Sequence, residues 1–77
     1  MDKEYIETLR MMHELEYRQI DSSAVVVVEM GEVDYETSET VRKYTSNGYK
    51  LFDSNRFGAG AGVFGEFLVF VKEKSNE

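Results

Sequence analysis

The sequence predicts an α+β domain: a long N-terminal helix followed by a β-α-β-β unit, with a three-stranded, mostly antiparallel sheet and the helices packed on one face. Three observations carry that expectation. Apolar residues recur at spacings of three and four through the first twenty positions. Two segments, "AVVVVEM" and "EFLVFVKEK", alternate as strands do. Between them lies a stretch with acids early and bases late, the order a helix dipole prefers.

In chain order, residues 2 to 20 read as the first helix. Ile6, Leu9, His13, Tyr17 and Ile20 form its apolar stripe, which Tyr5 and Met12 widen. Lys3 with Glu7, Arg10 with Glu14 and Glu14 with Arg18 are each four apart and support an exposed helical face. A strand beginning at Leu15 is the competing reading, because "LEYRQI" also alternates; the charge ladder favours the helix. Asp21, Ser22 and Ser23 end it.

Residues 24 to 30 are β-branched almost throughout and too short for a buried helix, so they form a strand that Gly31 breaks. A second helix is expected at about 36 to 46, capped by Asp34 or Thr37 and terminated by Gly48, with a thin apolar face of Val41 and Tyr44. "YKLFD" and "EFLVFVKEK" complete the strands, and a polar tail occupies 75 to 77. In the last strand Phe67, Val69 and Val71 face one way and Leu68 and Phe70 the other. Two apolar faces need two covers. We expect both helices on one face and a second subunit on the other.

With 77 residues the chain is one small domain, comprising the helix to residue 21 and the β-α-β-β unit from 24 to 74. A domain of this size buries only about 60% of the surface its unfolded chain exposes. It has no cysteine, so neither a disulfide nor a thiolate metal site can staple it. That makes a homo-oligomer, with a dimer favoured, the expected way to enlarge the core. The N-terminus is charged from its second residue and does not read as a secretory signal, and the apolar runs are too short for a membrane helix, so a cytoplasmic protein without membrane contact is expected. Nine basic and 15 acidic residues give a net charge of −6, which argues against nucleic-acid binding.

The segment "NRFGAGAGVFGEF" holds four of the six glycines. Gly60, Gly62 and Gly65 spell G-x-G-x-x-G, but a dinucleotide fingerprint follows a strand and opens a helix, and here a strand follows. "GAGVFGEF" resembles the glycine-rich loop of protein kinases, with Gly60, Gly62, Phe64 and Gly65 in register; the sequence carries neither a catalytic H-R-D nor a D-F-G. What remains is a flexible connection between strands, with Phe57, Val63 and Phe64 exposed beside it as a contact surface. Alternatively its backbone N–H groups and Arg56 could cradle an anion.

Other candidate sites are weaker. His13 lies on the apolar side of the first helix, a structural position. The spacing of Glu32, Asp34, Glu36 and Glu39 does not fit a calcium loop, so no metal or other cofactor is expected. "VFGEFLVF" resembles the aromatic strand of an RNA-recognition motif, but Phe64, Phe67 and Phe70 are three apart and do not share a strand face.

Residues 40 to 74 resemble the second half of small bacterial and phage domains of unknown function, in which a helix ends in an N-x-x-G-W-E-L-like turn and a final strand closes in K-R-E. Gly48, Tyr49 and Leu51 match the turn, with Tyr for Trp and Lys50 for Glu, while Lys72 and Glu73 match the end. The resemblance implies βαββ for 24 to 74 and transfers no catalytic residue. The expected function is therefore non-enzymatic: a protein-interaction module, a small acidic inhibitor or regulator, acting through the 56 to 65 loop. Its contact residues would be Arg56, Phe57, Gly58, Gly60, Gly62, Phe64 and Gly65. The alternative is an oligomeric binder of nucleotide or phosphate using the glycine hairpin and Arg56.

Overall fold

The computed structural model describes residues 3 to 73; the expected tail at 75 to 77 and the helix start at Asp2 lie outside them. Within that range the chain forms α1 (Lys3–Arg18), β1 (Val25–Met30), α2 (Glu39–Thr45), β2 (Tyr49–Gly60) and β3 (Val63–Lys72). The fold is α+β, with one three-stranded sheet in the order β1-β3-β2 and both pairings antiparallel. No helix among the described residues is long and apolar enough to cross a membrane.

β3 is the central strand, and Leu68, Val69 and Phe70 are fully buried. Their alternation builds two cores. On one side Phe67 and Val69 join Val26, with Leu9 and Tyr17 of α1, Val28 and Phe57 packed against them. On the other, Leu68 and Phe70 join Val41 of α2, with Val27, Val33, Tyr44, Tyr49 and Leu51. The helices therefore lie on opposite faces. This corrects the expectation that both pack on one face. The thin apolar side of α2 suffices because Val33, Tyr49 and Leu51 extend it, and Tyr44 stacks on Phe70 at 4.6 Å between ring centroids. With each face covered by its own helix, a bare sheet face no longer argues for a second subunit.

α1 also closes the outer edge of β1. Arg10 donates from Nη1 to the carbonyl of Val26 (3.0 Å), and Arg18 donates from Nε to that of Ala24 (3.1 Å). Unpaired carbonyls on an edge strand invite pairing with another chain, and these guanidinium groups occupy two of them. The Glu7, Arg10, Glu14 and Arg18 side chains form one ladder, with contacts of 2.7, 2.8 and 3.1 Å. Glu7, followed by Glu14, pushes the Arg10 pKa up and keeps the guanidinium charged.

Local chemistry moved two boundaries. α1 stops at Arg18, so Ile20, expected on its apolar stripe, is exposed in the following turn. α2 starts later than expected because Ser38, rather than Asp34 or Thr37, is the cap: its hydroxyl accepts from the N–H of Val41 at 3.2 Å. Asp34 instead accepts from the N–H of Glu36, shaping the preceding turn.

Candidate functional site

The glycine segment is ordered strand rather than a flexible loop. Arg56 to Gly60 belong to β2 and Val63 to Gly65 to β3, with Arg56 opposite Glu66, Phe57 opposite Gly65 and Gly58 opposite Phe64. Only Ala61 and Gly62 form the turn. Both sit at positive φ, 50° and 77°, as a two-residue type I′ hairpin requires. The sequence signal was obscured because alanine stands where asparagine or aspartate usually marks this turn. Ala61 is the one non-glycine residue at positive φ among the described residues. Replacing it with Asn should therefore raise stability by about 0.5–1 kcal/mol, seen as a higher melting temperature. An unchanged or lower temperature would show that the turn is not strained.

The expected contact residues of this hairpin turn inward more than the sequence suggests. Phe57 stacks on Phe67 with ring centroids 4.5 Å apart. Phe64 is half-buried beneath Arg56, whose guanidinium lies 5.4 Å from its ring centre. Arg56 also faces Glu66, its Nη2 lying 3.7 Å from Oε1. An anion at Arg56 would have to compete with this carboxylate.

Glu66 is the one buried charged residue among those described, at 5% exposure. Tyr35 donates its hydroxyl to Glu66 Oε2 (2.7 Å) and shares a 3.0 Å hydrogen bond with Ser54. Beside it on β1, Glu29 accepts from the Thr40 hydroxyl at 2.9 Å. This network pins the β1–α2 loop and the start of α2 to the polar half of the sheet. It went unseen in the sequence because Tyr35 and Ser54 come together only through pairing 19 positions apart. Every buried side-chain polar atom among the described residues has a partner, as a structural network should.

On the other face, His13 lies against Phe67 with centroids 4.7 Å apart, a packing position. Tyr17 donates its hydroxyl to Asp53 and accepts a 3.4 Å hydrogen bond from Asn55. A bulge at Phe52 turns Asp53 toward α1. The Asp53 hydrogen bond favours the protonated phenol and pushes the Tyr17 pKa up from its ordinary value. Its contribution to stability is thus fully present below about pH 10 and falls as pH rises through the folded value. In an absorbance titration of the folded protein, one of the five tyrosines should ionise at lower pH in Asp53→Asn than in wild type. Superimposable curves would contradict the contact.

Exposed apolar surface gathers elsewhere. Among the described residues, Met11, Met12 and Leu15 are 53%, 61% and 64% exposed, and Tyr5 near the start of the same helix is exposed as well. At about 100° per residue, Tyr5, Thr8, Met11, Met12 and Leu15 share one side of α1. It lies opposite the side that carries Ile6, Leu9, His13 and Tyr17. Tyr5 and Met12, expected to widen the inner stripe, belong to this outer one. Met11 with Leu15, four apart and outside the inner stripe, is the signal that could have found it.

The 32 to 36 loop borders an open depression of about 670 Å³ lined by Glu32, Val33, Asp34, Tyr35 and Glu36. No group of three or more histidine, cysteine or acidic residues among the described residues is placed to hold a metal ion. Compared with known proteins, the chain matches no family model, no curated protein and no solved structure.

Proposed function

We propose that the chain is a non-enzymatic protein-interaction module whose contact surface is the outer face of α1. One observation carries this reading. In a domain whose sheet is covered on both faces, α1 still presents Met11, Met12 and Leu15 to solvent. A surface helix is ordinarily polar on the side facing water, and one that is apolar on both sides has a second neighbour to meet. Methionine suits such a contact because its flexible, polarisable side chain adapts to an opposing surface. The hairpin supports the reading less well, since its aromatics and its arginine already pack within the domain.

Methionine oxidation tests it. In dilute purified protein, Met11, Met12 and the half-exposed Met30 should all convert to sulfoxide. Under conditions that permit contact, at high protein concentration or in extract of the cells that make the protein, Met11 and Met12 should be protected and Met30 should not. Equal oxidation of all three in every condition would overturn the assignment.

A further inference from the structure

We propose that the occupant of this face is a second copy of the chain, with two α1 helices packed antiparallel about a two-fold axis between Met11 and Met12. The proposal rests on the contact-surface reading above and adds the identity and orientation of the partner. Reversing the helix about that midpoint sets Met11 level with Met12, Thr8 level with Leu15, and Tyr5 level with Arg18. Met11 then meets Met12, and the small Thr8 faces the larger Leu15, contacts that repeat on both sides of the two-fold axis as an isologous interface requires.

Charge selects both the partner and its direction. On the flank of α1 beside this face, Glu4 and Glu7 lie near the start and Arg18 at the end, while the exposed Lys3 lies further round the helix, away from the face. The Glu7 and Arg18 side chains are 58% and 51% exposed. In the antiparallel arrangement Arg18 of one copy falls between the levels of Glu4 and Glu7 of the other, on the same flank. Its guanidinium has five N–H donors, and the bonds to Glu14 and the Ala24 carbonyl leave some available. Glu16 is level with Glu7 but half a turn around the helix, so these like charges do not meet. A parallel pair would instead leave Arg18 of each copy at the far end of the helix from Glu4 and Glu7 of the other. Opposed helix dipoles favour the same antiparallel choice.

The absence of native cysteine makes the geometry testable by single-cysteine crosslinking. Met11→Cys, beside the axis, should form an intermolecular disulfide with its own copy under mild oxidation. Two copies of Thr8→Cys should not, because helical rise separates them by about 10 Å along the axis, beyond disulfide reach. A mixture of Thr8→Cys and Leu15→Cys should crosslink. Melting under reducing conditions, matched to wild type, confirms that each variant is folded.

A charge exchange gives a second readout. Arg18→Glu and Glu7→Arg should each self-associate about tenfold more weakly by sedimentation, and their equimolar mixture should recover wild-type association. Thr8→Cys crosslinking to itself as readily as Met11→Cys, or a mixture that does not recover, would overturn the antiparallel dimer. If wild type sediments as a monomer at its highest soluble concentration while cell extract still protects Met11 and Met12, the contact surface stands and the homodimer falls. If neither extract nor high concentration protects them, both readings fall together.

Discussion

Phe70→Ala is expected to cost about 3–5 kcal/mol, the range for truncating a buried phenylalanine. Phe70 has no exposed surface and is the largest of the fully buried side chains in the sheet core. It also supplies the platform on which Tyr44 of α2 stacks nearly parallel, 13° between ring planes. A chain of 77 residues has a total stability of roughly 4–11 kcal/mol by the usual per-residue range. The variant should therefore lose much of its denaturant tolerance and release α2 first. Urea unfolding followed by circular dichroism measures this. A midpoint close to wild type would mean that Phe70 is not at the centre of the core.

Gly65→Ala should destabilise by about 1–3 kcal/mol through overpacking. An added Cβ there would stand 2.9 Å from the backbone oxygen of Glu29 and 2.9 Å from Cζ of Phe57. The ring could swing aside only by leaving its stack on Phe67, and the β1 carbonyl cannot move without disturbing the ladder. Gly58, on the same hairpin, has nothing within 4 Å of its would-be Cβ and no positive φ. Gly58→Ala should thus change stability by no more than about 0.5 kcal/mol. Equal melting temperatures for the two variants would refute the close approach at Gly65.

The contrast between these glycines explains what could be read from the sequence. Alternation of Phe67 to Val71 revealed a strand with two apolar faces, and the spacing of Arg10, Glu14 and Arg18 revealed α1, because both signals are local and periodic. The side on which each helix packs is not local. It depends on Val33, Tyr49 and Leu51 gathering around Val41, contacts that no period in the sequence displays. Glycine density between 58 and 65 suggests mobility, yet Gly62 serves a tight turn and Gly65 a close backbone approach. The extension of β2 to Gly60 follows from pairing with β3, which holds glycines of low strand preference in place.

The outer face of α1 was hidden for a related reason. Periodicity finds an apolar stripe of Ile6, Leu9, His13 and Tyr17, and by spacing alone Tyr5 and Met12 read as widening it. Once Leu9 and Tyr17 fix which side meets the sheet, Met11, Met12 and Leu15 are left facing away. Their exposure marks the proposed contact surface, on the element that also caps the β1 edge. Contact there would bear on the sheet through Arg10 and Arg18.

Leu15→Lys tests this account most directly, because it separates a contact residue from a core residue. The lysine should leave the melting temperature of dilute protein within about 2 °C of wild type, as substitutions at exposed sites outside the core do. It should also abolish the protection of Met11 and Met12 from oxidation at high concentration or in extract. A collapse of the melting temperature would place Leu15 in the domain's own core, and unchanged protection in a folded Leu15→Lys variant would place the contact surface somewhere other than α1.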